Sequence, residues 1–148
     1  MKLKSERGTA VVEFAVVLPL LLVIVFGIVE FSFILYNQAM ITNASREGAR
    51  TGIIVDVPRK STGEITTVVN NYLNNYLVTF GSGAPTAPAT VVKINNVEAD
   101  PSTAGLVSAQ DYITVEVSYD YDFLIIPNFI TSIAGTKTLF SSSTMRAE

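Results

Sequence analysis

The run Gly8-Thr9-Ala10-Val11-Val12-Glu13-Phe14 sets an ionisable side chain inside an apolar stretch. Glu13 is the only charged residue between Thr9 and Val29. An unpaired carboxylate in a membrane span costs on the order of a few kcal/mol. The chemistry open to Glu13 is therefore ion pairing in a low-dielectric setting, or escape of its head group to the aqueous interface near Thr9. Gly8 offers a different chemistry. Without a side chain, it leaves the backbone on either side open to close approach. Equally, Gly8 could be a turn before a helix for which Thr9 is a fair N-cap.

Other chemistry is sparse. The chain has no cysteine, histidine or tryptophan, which removes disulfides, thiolates, the usual zinc sites and the commonest general base. Asp120 and Asp122 share one face of an expected strand, but two carboxylates are too few for a calcium site. Lys60-Ser61 is a loop pair without a supporting motif. Asn43-Ala44-Ser45 matches a glycosylation acceptor only formally, since it falls within an expected helix. There is no phosphate-binding loop and no dinucleotide fingerprint. The net charge of −3 leaves no basic patch for nucleic acid. The expectation is a protein that is not an enzyme, with no cofactor, no metal and no nucleic-acid partner. Only a deep pocket holding Asp111, Asp120 or Asp122 around a metal would revive an enzymatic reading.

The elements that position Gly8 and Glu13 follow from periodicity. The apolar run from Thr9 continues through Phe31-Ser32-Phe33-Ile34-Leu35-Tyr36, broken by Glu30. About 20 apolar residues cross the hydrocarbon core, so residues 9–30 qualify as a span. Lys2, Lys4 and Arg7 precede it and favour a cytoplasmic N-terminus. The run exceeds the apolar core of a secretory signal, and no small-x-small cleavage site ends it. The helix is expected to continue to about Ile54, some 70 Å in all at the standard rise (about 1.5 Å per residue). Pro19 is expected to kink it. In residues 31–54, Tyr36, Met40, Ala44 and Gly48 recur at spacings of four, and the small Ala44, Gly48, Ala49 and Gly52 permit close approach of another element. Arg46, Glu47 and Arg50 lie one turn apart and form a solvated charge ladder.

Beyond Val57-Pro58, Ser61 and Glu64 match a capping box. Ile65, Val68, Val69, Tyr72, Leu73, Tyr76, Leu77 and Phe80 then follow helical spacing to a stop at Gly81. Residues 81–89 and 99–110 read as loops, and Thr90–Val97 as a strand. From Asp111 to Phe123 the pattern alternates, with Ile113, Val115, Val117, Tyr119 and Tyr121 on one face. A helical turn from Pro127 to Ile133 and a strand from Thr138 to Arg146 complete the chain. The expected fold class is α+β: a long N-terminal helix and a head (residues 55–148) with a second helix and a three-stranded antiparallel sheet.

Two motifs carry a family resemblance. Gly8 followed by Glu13-Phe14 at the head of a span resembles the processing site of type IV prepilins, in the manner of the Flp/Tad branch. Ala44-Ser45-Arg46-Glu47-Gly48-Ala49-Arg50 resembles the run that follows the span in TadE-like proteins, and Thr144-Met145-Arg146 after a strand suits them too. The resemblance implies a leader (residues 1–8) cut after Gly8 by a prepilin peptidase. Loss of that leader would leave a mature chain of charge −5 beginning at Thr9. It further implies that Glu13 pairs with the N-terminal amine of an adjacent subunit and sets the register of insertion. Phenylalanine and N-methylation are common at the first mature position of type IV pilins; this chain has Thr9. The implied partners are other pilins or pseudopilins and the Tad inner-membrane platform. The implied place is the bacterial inner membrane with a periplasmic head, and incorporation in the pilus is open. Alternatives are an uncleaved anchor bearing a periplasmic ligand- or surface-binding domain, and a filament-forming pilin with a head.

Overall fold

The computed structural model describes residues 3–55, 59–79, 88–99, 107–124 and 137–148, with side chains from residue 8 onward. The expected loop at Val57-Pro58, the stop at Gly81, most of both longer loops and the helical turn from Pro127 lie outside these residues. The described elements are α1 (Leu3–Ile53), α2 (Thr62–Tyr76), β1 (Ala89–Ile94), β2 (Val97–Glu98), β3 (Tyr112–Tyr121) and β4 (Lys137–Arg146). The architecture is α+β, as the periodicity implies.

Helix α1 is continuous through Pro19. The proline ring removes one backbone hydrogen bond without ending the helix. Helix α2 starts at the expected capping box. Ser61 Oγ accepts the Glu64 N–H at 3.2 Å, and Glu64 Oε2 accepts the Ser61 N–H at 2.7 Å. Its buried stripe is Thr62, Ile65, Val69 and Leu73.

Two boundaries differ from expectation. Helix α2 stops at Tyr76 rather than running through Phe80 to Gly81. The stop is a tertiary contact with α1. The buried Asn37 amide donates to the Val78 carbonyl at 2.7 Å and accepts the Val78 N–H at 3.0 Å, holding the chain extended beyond Leu77. The second correction concerns the expected strand Thr90–Val97, which is two strands. It turns at Asn95 and Asn96, whose φ values are 50° and 66°, and returns as β2. Asparagine tolerates the left-handed region that a tight hairpin turn needs. The sheet therefore has four strands among the described residues, in the order β2-β1-β3-β4, with every pairing antiparallel.

One face of the sheet is covered by helices. Helix α1 packs on β3 and β4, and α2 packs on α1 and β1. The inward side chains of β3 are the expected Ile113, Val115, Val117, Tyr119 and Tyr121, all buried. Helix α1 runs antiparallel to α2 and to β3. Gly52 of α1 faces Ile65 and Ile113, Gly48 faces Val69 and Val115, and Tyr36 reaches Tyr76. Both α2 and β3 thus run back toward the N-terminal half of α1.

Close approach needs the small residues. A Cβ built on Gly48 would lie 2.5 Å from Val69 Cγ2, and one on Gly52 would lie 2.9 Å from Ile65 Cδ1. On the β4 side, the buried Ser45 hydroxyl contacts Ser143 Oγ at 2.8 Å and Ser141 Oγ at 3.1 Å. Short hydroxyl side chains let the helix sit low on the strand while satisfying one another.

Candidate processing and assembly site

Gly8, Thr9, Glu13 and Phe14 lie on consecutive turns near the start of α1, and all are exposed. Space around Gly8 is open, with nothing within 4 Å of a Cβ placed there. The Glu13 side chain has no hydrogen bond or ion pair among the described residues. An 18-residue window of Gly8–Ile53 reaches a mean hydropathy of 2.8, and none of it is buried by the rest of the chain. This helix is long and apolar enough to cross a membrane. The apolar window is also clear of the head's core, so folding of the chain does not account for its apolar character.

The second motif divides between two faces. Arg46 and Arg50 point to solvent, and Arg50 Nη1 lies 3.6 Å from Glu47 Oε2 in an exposed pair. Such pairs contribute about 0–1 kcal/mol. Gly48 and Ala49 are buried against the core. The Arg-Glu-Gly-Ala-Arg run is thus a charged outer rim around an inner close contact.

Glu30 is the residue whose importance the sequence understated. It is buried, and its Oε1 accepts the Tyr121 hydroxyl at 2.8 Å and the Leu124 N–H at 3.1 Å. Burial and this bond to Glu30 push the Tyr121 hydroxyl well above the ordinary tyrosine range. The available signal was a carboxylate ending an apolar run, together with an inward-facing tyrosine at a strand end whose hydroxyl required a partner.

Asp111, Asp120 and Asp122 do not converge. Asp111 precedes β3, whereas Asp120 and Asp122 lie at its far end, roughly 30 Å away at the rise of a strand. Asp120 accepts the Thr138 hydroxyl at 2.6 Å. Asp111 accepts from the Asn95 amide at 2.8 Å and the Ser108 N–H at 2.7 Å. The Asn95 and Ser108 bonds hold its carboxyl below the usual range. Among the described residues no group of three or more potential metal ligands occurs.

Residues 8–50 match the family model of TadE-like proteins. Over that stretch the chain is similar to TadE-like proteins. The match spans the Gly8–Glu13 motif, the whole apolar window and the Arg46–Arg50 run, all on α1. Helix α2 and the sheet lie beyond the matched residues. No curated protein and no solved structure matches the chain significantly.

Proposed function

We propose that this chain is a TadE-like pseudopilin, a minor structural and assembly component of a Tad (Flp) pilus. One observation carries the reading. The TadE-like match covers a single helix that holds both motifs, and the apolar half of that helix is left entirely uncovered by the head. In this reading residues 1–8 are a cytoplasmic leader, residues 9–30 span the inner membrane, residues 31–54 continue the helix, and residues 55–148 form a periplasmic head. A prepilin peptidase cuts after Gly8. Glu13 then finds its charge partner in the amine of an adjacent subunit, which fixes the depth at which each helix joins the assembly. Phe14 and the following apolar residues face neighbouring helices or lipid. The role is structural, without a catalytic site or cofactor. A head on the helix suits a minor or initiating subunit, because the major Flp pilins that this branch uses are little more than a helix.

The test is the intact mass and N-terminal sequence of the protein from its native membrane. The expected chain begins at Thr9, and Gly8→Leu should leave it uncut. Retention of Met1 or Lys2 in the unaltered protein would indicate a permanently anchored domain instead. Glu13→Ala should insert normally yet fail to support piliation. Normal pili in that variant would remove the register role.

A further inference from the structure

The apolar stretch ends at Glu30, and the head reaches back to that same level. Residues 9–30 correspond to about 33 Å of helix, close to the thickness of the hydrocarbon core, so Glu30 marks its outer boundary. Side chains on an α-helix lean toward its N-terminus, which here is the membrane side. The Glu30 carboxylate therefore points bilayerward. It is this carboxylate that holds the Leu124 N–H at 3.1 Å and the Tyr121 hydroxyl at 2.8 Å. Leu124 consequently stands at about the level of Glu30. Leu124 is 45% exposed, beside Phe123, whose ring meets Tyr121 edge-on at 5.6 Å.

The next level up is aromatic. Tyr36 and Tyr76 lie about 9 Å above Glu30 along the helix. They are joined by the Tyr36 hydroxyl on the Tyr76 carbonyl at 3.1 Å, and both rings are substantially exposed. Phe31 and Leu35 are exposed between these levels. An exposed leucine at the hydrocarbon boundary with tyrosines one to two turns above it has the layering of an interfacial belt, in which amphipathic rings sit among the headgroups. In water this edge would be an unexplained apolar rim.

We infer that the head is seated on the bilayer, with Leu124 entering the outer edge of the lipid and Tyr36 and Tyr76 lying in the headgroup layer. The partner of this surface is the phospholipid interface. The two hydrogen bonds to Glu30 fix the seating by tying the end of β3 to the end of the span. The inference rests on the reading that α1 crosses a membrane, and the experiment separates the two.

The chain contains no cysteine and no tryptophan, so single reporters carry no background. The full chain is reconstituted in vesicles of phosphatidylethanolamine and phosphatidylglycerol, with a spin label on Val23→Cys, Leu124→Cys or Val97→Cys. Collisions with oxygen are compared with collisions with a polar nickel complex. Val23 lies mid-span, and Val97 lies in the hairpin at the opposite end of the sheet. The expected result is a preference for oxygen at Val23 and Leu124 and for the nickel complex at Val97. Lipid at Val23 with water at Leu124 would overturn the seating and leave the span intact. Water at Val23 would remove the span and the seating together. Leu124→Trp gives a second, apolar reporter. Its emission should be quenched by lipids brominated near the headgroup, and the absence of quenching would count against the seating in the same way.

Discussion

Glu30 and Tyr121 show what a single polar contact does at a boundary. The carboxylate is taken out of solvent by the head and accepts from the Tyr121 hydroxyl and the Leu124 N–H. Removing one donor from a buried acceptor costs about 1–3 kcal/mol, because the desolvation remains while the bond is gone. Tyr121→Phe should lower the stability of the detergent-solubilised chain by that amount, read from a urea or thermal melt. A melt unchanged within about 0.5 kcal/mol would mean that the hydroxyl is not a partner that matters. Glu13 is the opposite case. Its exposed side chain has no partner among the described residues, so its cost in lipid must be met from outside the chain. The two acids looked similar in the sequence. Their difference came from residues about 90 positions further on, which no local pattern reports.

At the scale of elements, the close approach of α1 to α2 depends on a missing side chain. Gly48→Ala would place a Cβ 2.5 Å from Val69 Cγ2. Val69 is buried with little room to move, so a cost of about 1–3 kcal/mol is expected. Gly27→Ala meets nothing within 4 Å and should be neutral, or favourable by up to about 1 kcal/mol of helix propensity. Comparing the two melts checks this, and equal effects would contradict the packing argument. Elements whose signal is local were legible in the sequence. The Ser61–Glu64 box, the Ile65-Val69-Leu73 stripe and the alternation from Ile113 to Tyr121 all appear where their spacing puts them. The Asn95-Asn96 turn was also written locally, but Ile94 and Val97 on either side of it masked it as one longer strand. The stop of α2 at Tyr76 was not written locally at all. It is imposed by Asn37, some 40 residues earlier, on a pattern that would have carried the helix to Phe80.

Across the whole molecule, charge sets a pH window. Asp111 and Glu64 both have lowered pKa values: Asp111 through its bonds to Asn95 and the Ser108 N–H, Glu64 through the Ser61 cap. A lowered carboxylate contributes stability above its unfolded pKa, and that contribution fades as pH falls through about 4 and below. Tyr121 is raised, so its contribution is present below the ordinary tyrosine value of about 10 and fades as pH rises above it. Melting temperature should thus be flat near neutrality and fall at both ends. Asp111→Asn should soften the acid limb and Tyr121→Phe the alkaline one. An acid limb unchanged in Asp111→Asn would show that other carboxylates set it. The shared helix has a mechanical side as well. Residues 37–52 of α1 lie alongside α2, β3 and β4, and the same rod continues into the apolar half. A pull along the rod's axis would load these contacts together in shear instead of peeling them one by one, so the head can be hauled with the helix without being unravelled by it.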